Sequence, residues 1–156
     1  MCEGSDKDMQ RSFDEYMEYI LSLKDVLPVE LFKFSSNTEH YELSHADSLH
    51  DAWIVSLVVK ENRNASRPFN CSLSVEINLL GQHHDRELIL KYLNVSKYGF
   101  VGQRNELNAN DTFHGDILSH EVGLKSGGFT HTIAMRSGSV FEVVFNGFSF
   151  EVQLNT

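Results

Sequence analysis

Two hydrophobic periods divide the chain. Between about residues 6 and 24, Met9, Phe13, Met17, Ile20 and Leu21 recur near helical spacing, with Tyr16 and Leu23 beside them. That spacing predicts one amphipathic helix whose apolar stripe covers a sheet. Ser5-Asp6-Lys7-Asp8 reads as a capping box with Asp in place of Glu. Asp6 and Asp8 suit the positive end of the helix dipole, Lys24 suits the negative end, and Pro28 bounds the helix. Val29 to Phe34 fits either a short helix or a short strand, and residues 35–51 read as a polar loop. From Trp53 the period becomes two. Trp53, Val55, Leu57 and Val59 share one face against Ile54 and Val58. Cys71, Leu73, Val75, Ile77 and Leu79 alternate with Ser72, Ser74, Glu76 and Asn78. Leu88, Leu90 and Tyr92 form one face of a third strand over 86–95. The segment from Ser96 to Gly115 has weak periodicity, and at that length it is functional or carries structure of its own.

Four strands follow near 116–124, 129–136, 139–145 and 148–154, with turns at Ser126-Gly127, Ser137-Gly138 and Asn146-Gly147. Asn146-Gly147 is the strongest hairpin signal, because a type I′ turn needs positive φ at both central residues. Counting outward pairs Phe145 with Phe148, Val143 with Phe150 and Phe141 with Val152. This aromatic patch is predicted to be core, with the N-terminal helix as its cover. The expectation is an α+β single domain spanning residues 1–156, an N-terminal amphipathic helix (about 6–24) packed on a β-rich body (about 52–154). That body is predicted to be a strongly curved, mainly antiparallel meander of about seven strands. No P-loop, GxGxxG or alternating βαβ pattern is present.

The same counting places candidate chemistry. Across Ser126-Gly127, Val122 pairs with His131 and His120 with Ile133; across Ser137-Gly138, Ile133 pairs with Glu142. His120, His131 and Glu142 are thereby predicted to share one face, where two imidazoles and a carboxylate would bind a divalent metal or shuttle a proton. A one-residue slip of register would scatter them. A second theme is His and Asp before strands: His50-Asp51, His83-His84-Asp85 and His114-Gly115-Asp116. The first and third strands of a meander start at the same end, so His50, Asp51, His84 and Asp85 are expected at one pole. There they form Asx turns or a polar binding site. Their spacing matches no standard zinc motif, no nucleophile motif occurs, and no cofactor is implied.

Ser48-Leu49-His50-Asp51-Ala52-Trp53, Leu79-Leu80-Gly81 with His84-Asp85-Arg86, and His114-Gly115-Asp116-Ile117-Leu118 with His120-Glu121-Val122 resemble a family of small bacterial α+β proteins. The resemblance spans roughly residues 45–154 and implies no activity. In size, charge and architecture the chain is also similar to the immunity proteins encoded beside bacterial polymorphic toxins.

Charge narrows the partners. Thirteen Lys and Arg stand against 22 Asp and Glu in 156 residues, a net charge of −9. Nucleic acid is disfavoured as a partner and a basic protein favoured. The imbalance is local: residues 1–51 hold 12 acids and 4 bases (−8), residues 52–156 hold 10 and 9 (−1). The expected contact surface is the outer helix face (Asp14, Glu15, Glu18) or the following loop (Glu39, Glu42, Asp47). Two cysteines, Cys2 and Cys71, allow at most one bridge. No apolar run approaches the roughly 18 residues of a membrane span. The N-terminus shows no signal peptide, and the four Asn-x-Ser/Thr sites are then read as chance, so a cytoplasmic location is expected. The leading expectation is a non-enzymatic protein-binding module such as an immunity protein. The alternatives are a structural or assembly subunit that forms homo-oligomers, or a metal- or His-dependent enzyme.

Overall fold

The computed structural model describes residues 3–107 and 110–155, with side chains from residue 12 onward. In chain order it contains helices α1 (Glu3–Ser22) and α2 (Val29–Ser36) and a 3-10 turn (Thr38–His40). The strands are β1 (Trp53–Asn64), β2 (Arg67–Leu80), β3 (Arg86–Leu93), β4 (Lys97–Val101), β5 (Ile117–Lys125), β6 (Gly128–Met135), β7 (Val140–Phe145) and β8 (Gly147–Leu154). The class is α+β and the strand pairs are antiparallel. The expected single curled meander is corrected. Eight strands form two four-stranded sheets, ordered β1-β2-β3-β8 and β4-β7-β6-β5, and neither is strongly curled. The extra strand, β4, lies in the weakly periodic segment after Ser96.

The correction turns on Asn146-Gly147, which is a crossing between sheets and not a hairpin. Neither residue has the positive φ that a type I′ turn requires. Asn146 N–H instead donates to the Leu93 carbonyl at 3.1 Å, and Gly147 pairs with Leu93. A Cβ on Gly147 would stand 3.0 Å from Leu93 Cβ, so the glycine permits the close approach of two chains. Phe148, Phe150 and Val152 therefore oppose Tyr92, Leu90 and Leu88, not the residues of β7. The aromatic patch is core as expected, but it is built from two facing sheets. Phe141, Val143 and Phe145 come from one, and Phe148 with the half-buried Phe150 and Val152 from the other.

The helices close this core. α1 buries Ile20 and packs Tyr16 against it. α2 buries Leu31 and Phe34, and the Phe34 ring lies 5.0 Å from Phe148 and 4.9 Å from Phe150. The cover of these aromatic rings is thus α2, not α1. Residues 3–5 are already helical, so the expected capping box falls inside the first turn. Cys2, and with it any Cys2–Cys71 bridge, lies outside the described residues, as does the side chain of Met9.

Two irregularities interrupt the first sheet. In β1 a bulge at Val55 puts Ile54 and Leu57 against the core and leaves Val55 exposed, breaking the simple alternation. β3 ends opposite Val75. Beyond it, residues 60–64 of β1 and 67–74 of β2 continue as an arm, held at its base by Val95 N–H on the Leu73 carbonyl at 2.9 Å and two-stranded further out. Arg63 pairs with Cys71 but Asn64 with Arg67, so Pro68, Phe69 and Asn70 bulge out of the arm.

Candidate functional site

The two histidines of the sheet face are brought together inside the core. β5 and β6 pair through the two-residue turn Ser126-Gly127, placing Val122 opposite His131 and His120 opposite Ile133. Both imidazoles face inward, toward the sheet that carries Tyr92 on β3; His131 is fully buried and His120 is 5 % exposed. His131 Nδ1 lies 2.6 Å from Tyr92 Oη, His131 Nε2 lies 3.0 Å from His120 Nδ1, and His120 Nε2 lies 3.0 Å from the His40 carbonyl. The carbonyl only accepts, and this fixes every proton of the neutral chain. Tyr92 O–H donates to His131, His131 Nε2–H to His120, and His120 Nε2–H to His40.

Burial sets the charge state. It lowers His120 from its ordinary 6.5 to about 4. It pushes His131 well below the ordinary value, the neighbouring His120 adding to the effect, and holds the Tyr92 hydroxyl well above its own. At neutral pH the chain is uncharged from end to end, and each ring nitrogen is committed to an internal partner. It links the two sheets through the core and ends on a carbonyl.

Glu142 does not join it. The turn between β6 and β7 has three residues, Arg136-Ser137-Gly138, closed by Met135 N–H on the Ser139 carbonyl at 2.9 Å, with Gly138 at φ +97. One residue more than Ser137-Gly138 alone shifts the register by one: His131 opposes Val143, Thr132 opposes Glu142, and Ile133 opposes Phe141. Glu142 therefore points outward, 4.0 Å from Lys125 Nζ.

Beside His120 lies a cleft of about 300 Å³ between α1 and the outer edge of β5. Phe13, Tyr16, Tyr41, Leu43 and Leu118 supply most of its wall, with His50 and Glu121 at its margin. Tyr41 lies flat on His120, ring centroids 4.3 Å apart and planes 5° apart, and both rings contribute to the lining of the cleft. A second hydrogen-bonded row fixes this wall. Val122 N–H on the strand edge donates to Tyr16 Oη (2.8 Å), Tyr16 O–H to Tyr41 Oη (3.0 Å), and Tyr41 O–H to the Ser35 carbonyl (2.9 Å). Burial raises both phenols above their ordinary value, Tyr41 strongly.

The His-Asp residues are divided among different tasks. Asp51 (φ 64) and His84 (φ 59) occupy the left-handed region, as the tight turns before β1 and β3 demand. Asp51 N–H donates to the Ile117 carbonyl at 2.9 Å, and Gln82 Nε2 reaches the His50 carbonyl at 3.2 Å. The segments do meet at one end of the sheet, but their side chains diverge. His84 packs on Trp53 at 4.5 Å, and Asp85 binds Arg86 at 2.9 Å. His50 turns toward the cleft; its shielded Nδ1 lies 3.2 Å from Asp51 Oδ1 but outside hydrogen-bonding geometry. Among the described residues, no three His, Cys, Asp or Glu side chains gather closely enough to hold a metal ion.

The acidic residues divide as well. Glu39 lies 3.5 Å from His45, and Asp47 is bridged to Arg86 at 2.8 Å. Asp14, Glu15, Glu18 and Glu42 are exposed, and among the described residues Glu15, Glu18 and Glu42 have no ion-pair partner. Sequence reasoning missed Tyr92, Tyr41 and Tyr16. The signal for Tyr92 was present, since a tyrosine at a core-facing strand position must find a partner for its hydroxyl. The chain matches no protein-family model and no curated protein.

Proposed function

We propose that this chain is a non-enzymatic protein-binding module that captures a basic partner in the cytoplasm, in the manner of a toxin-neutralising immunity protein. The observation that carries this reading is the exposed acidic surface of α1 and the segment after it. Among the described residues, Glu15, Glu18 and Glu42 project there without an ion-pair partner, near an apolar cleft. Unneutralised charge of one sign steers an oppositely charged partner and speeds encounter. The interior supports the same reading, because His120 and His131 spend all four ring nitrogens or their protons on internal hydrogen bonds.

The test is capture of a partner from the native host at low salt, followed by association kinetics. The expected result is one basic protein at equal stoichiometry, bound more slowly as salt rises. Glu15→Lys with Glu18→Lys should slow association several-fold and leave the unfolding midpoint unchanged. Equal rates for the wild-type and reversed chains would overturn the reading.

A further inference from the structure

We infer that the arm of β1 and β2 is a docking element for a second copy of this chain, with Phe69 as its anchor and the α1–β5 cleft as its receptor. Phe69 is 99 % exposed, an extreme for a large apolar side chain. Its presentation is built. Arg63 Nη1 donates to the Pro68 carbonyl at 2.6 Å, and Arg63 Nη2 donates to Glu61 Oε2 at 2.6 Å. The guanidinium thus ties down the base of the bulge that lifts Phe69 into solvent. Bulges re-aim side chains in this way, and a rigid aromatic beside arginine is the usual composition of an interface anchor.

Charge identifies the occupant of the cleft. The arm, residues 60–74, holds Lys60, Arg63 and Arg67 against Glu61 alone. The segment carrying most of the cleft wall, residues 1–51, holds 12 acids against 4 bases. One molecule therefore presents an aromatic side chain flanked by cations and, elsewhere, an apolar cleft lined by Glu121, with the exposed Glu42 between its wall residues Tyr41 and Leu43 in the chain. The arm cannot serve its own cleft. His50 lies three residues before Trp53, whereas the bulge begins beyond Arg63, roughly 30 Å of strand further on. Docking is therefore between molecules, Phe69 entering among Phe13, Tyr41, Leu43 and Leu118 with Arg67 beside the glutamates. Reciprocal exchange in a two-fold dimer satisfies both arms and both clefts, whereas a one-way contact would run on into a filament. The cleft adjoins the surface proposed for the basic partner, but Glu15 and Glu18 do not line it, so charge reversal there tests partner capture and substitution at Phe69 tests self-association.

Sedimentation equilibrium of the full chain tests this. The wild type is expected to be dimeric, and Phe69→Asp and Leu43→Asp each monomeric, both at exposed positions where the fold is unaffected. Mixing the two variants should restore a dimer, since one intact arm then meets one intact cleft. Arg67→Glu should weaken association about tenfold. A wild-type chain that stays monomeric up to about 1 mM, or a dimer that survives both substitutions, would overturn the inference.

Discussion

The buried link from Tyr92 through His131 and His120 to His40 and the exposed arm around Phe69 are opposite uses of side chains. The link consists of residues whose chemistry suggests catalysis, and its surroundings take that chemistry away. Burial keeps the rings neutral, and neighbours occupy their nitrogens. The arm consists of residues suited to packing, and its geometry withholds packing from Phe69. Residue type nominates a function, but environment decides whether it is exercised. In this fold the histidines belong to a neutral hydrogen-bonded link between two sheets, and Phe69 is left exposed.

Breaking the link should have the largest effect. His131→Ala leaves the Tyr92 hydroxyl and His120 Nδ1 without partners and opens a cavity between the sheets, an expected loss of about 3–5 kcal/mol in denaturant unfolding. That is a large part of the stability of a domain this size. A loss below about 1 kcal/mol would mean that the link is incidental.

Acid should attack the same region next. His120 sits at about 4 in the folded chain against an ordinary 6.5, so the unfolded chain takes up the proton first. Its contribution is complete above pH 6.5, falls as the pH drops, and is lost by about pH 4. For this group alone the loss is about 3 kcal/mol, and the lowered His131 acts in the same direction. His131→Ala should flatten this part of the stability profile, because it removes one of the two depressed histidines and opens the site of the other to water.

The smaller perturbations sharpen the contrast. Tyr92→Phe removes one donor and leaves His131 Nδ1 unpaired, at an expected cost of about 1–3 kcal/mol. At concentrations low enough to keep the chain monomeric, Glu142→Gln and Phe69→Ala should each stay within about 0.5 kcal/mol of wild type in thermal or chemical unfolding. Phe69→Ala should nonetheless abolish self-association. A destabilisation above about 1 kcal/mol by Phe69→Ala would show that the arm packs against its own body.

Much of this was legible in the sequence. The alternation from Cys71 to Leu79 marked a half-buried strand, and counting outward from the Ser126-Gly127 turn was enough to put His120 and His131 on one face. Local periodicity did not reveal which sheet a strand joins. Asn146-Gly147 has hairpin chemistry, yet Gly147 serves the close passage of Leu93, a contact between residues far apart in the chain. Glu142 was misplaced for a smaller reason. A turn of Ser137-Gly138 and one of Arg136-Ser137-Gly138 share the same glycine, and one extra residue inverts the face. The arm left one trace, Pro68, whose missing N–H disfavours regular pairing and foretells a bulge.

The most direct test of the central claim, that the paired histidines are a neutral structural link, is an NMR titration of the imidazole nitrogens. The account predicts that between pH 7 and 5 His120 and His131 both remain neutral and both carry their proton on Nε2. Titration of either ring near its ordinary 6.5, or a proton on Nδ1 of His131, would contradict it.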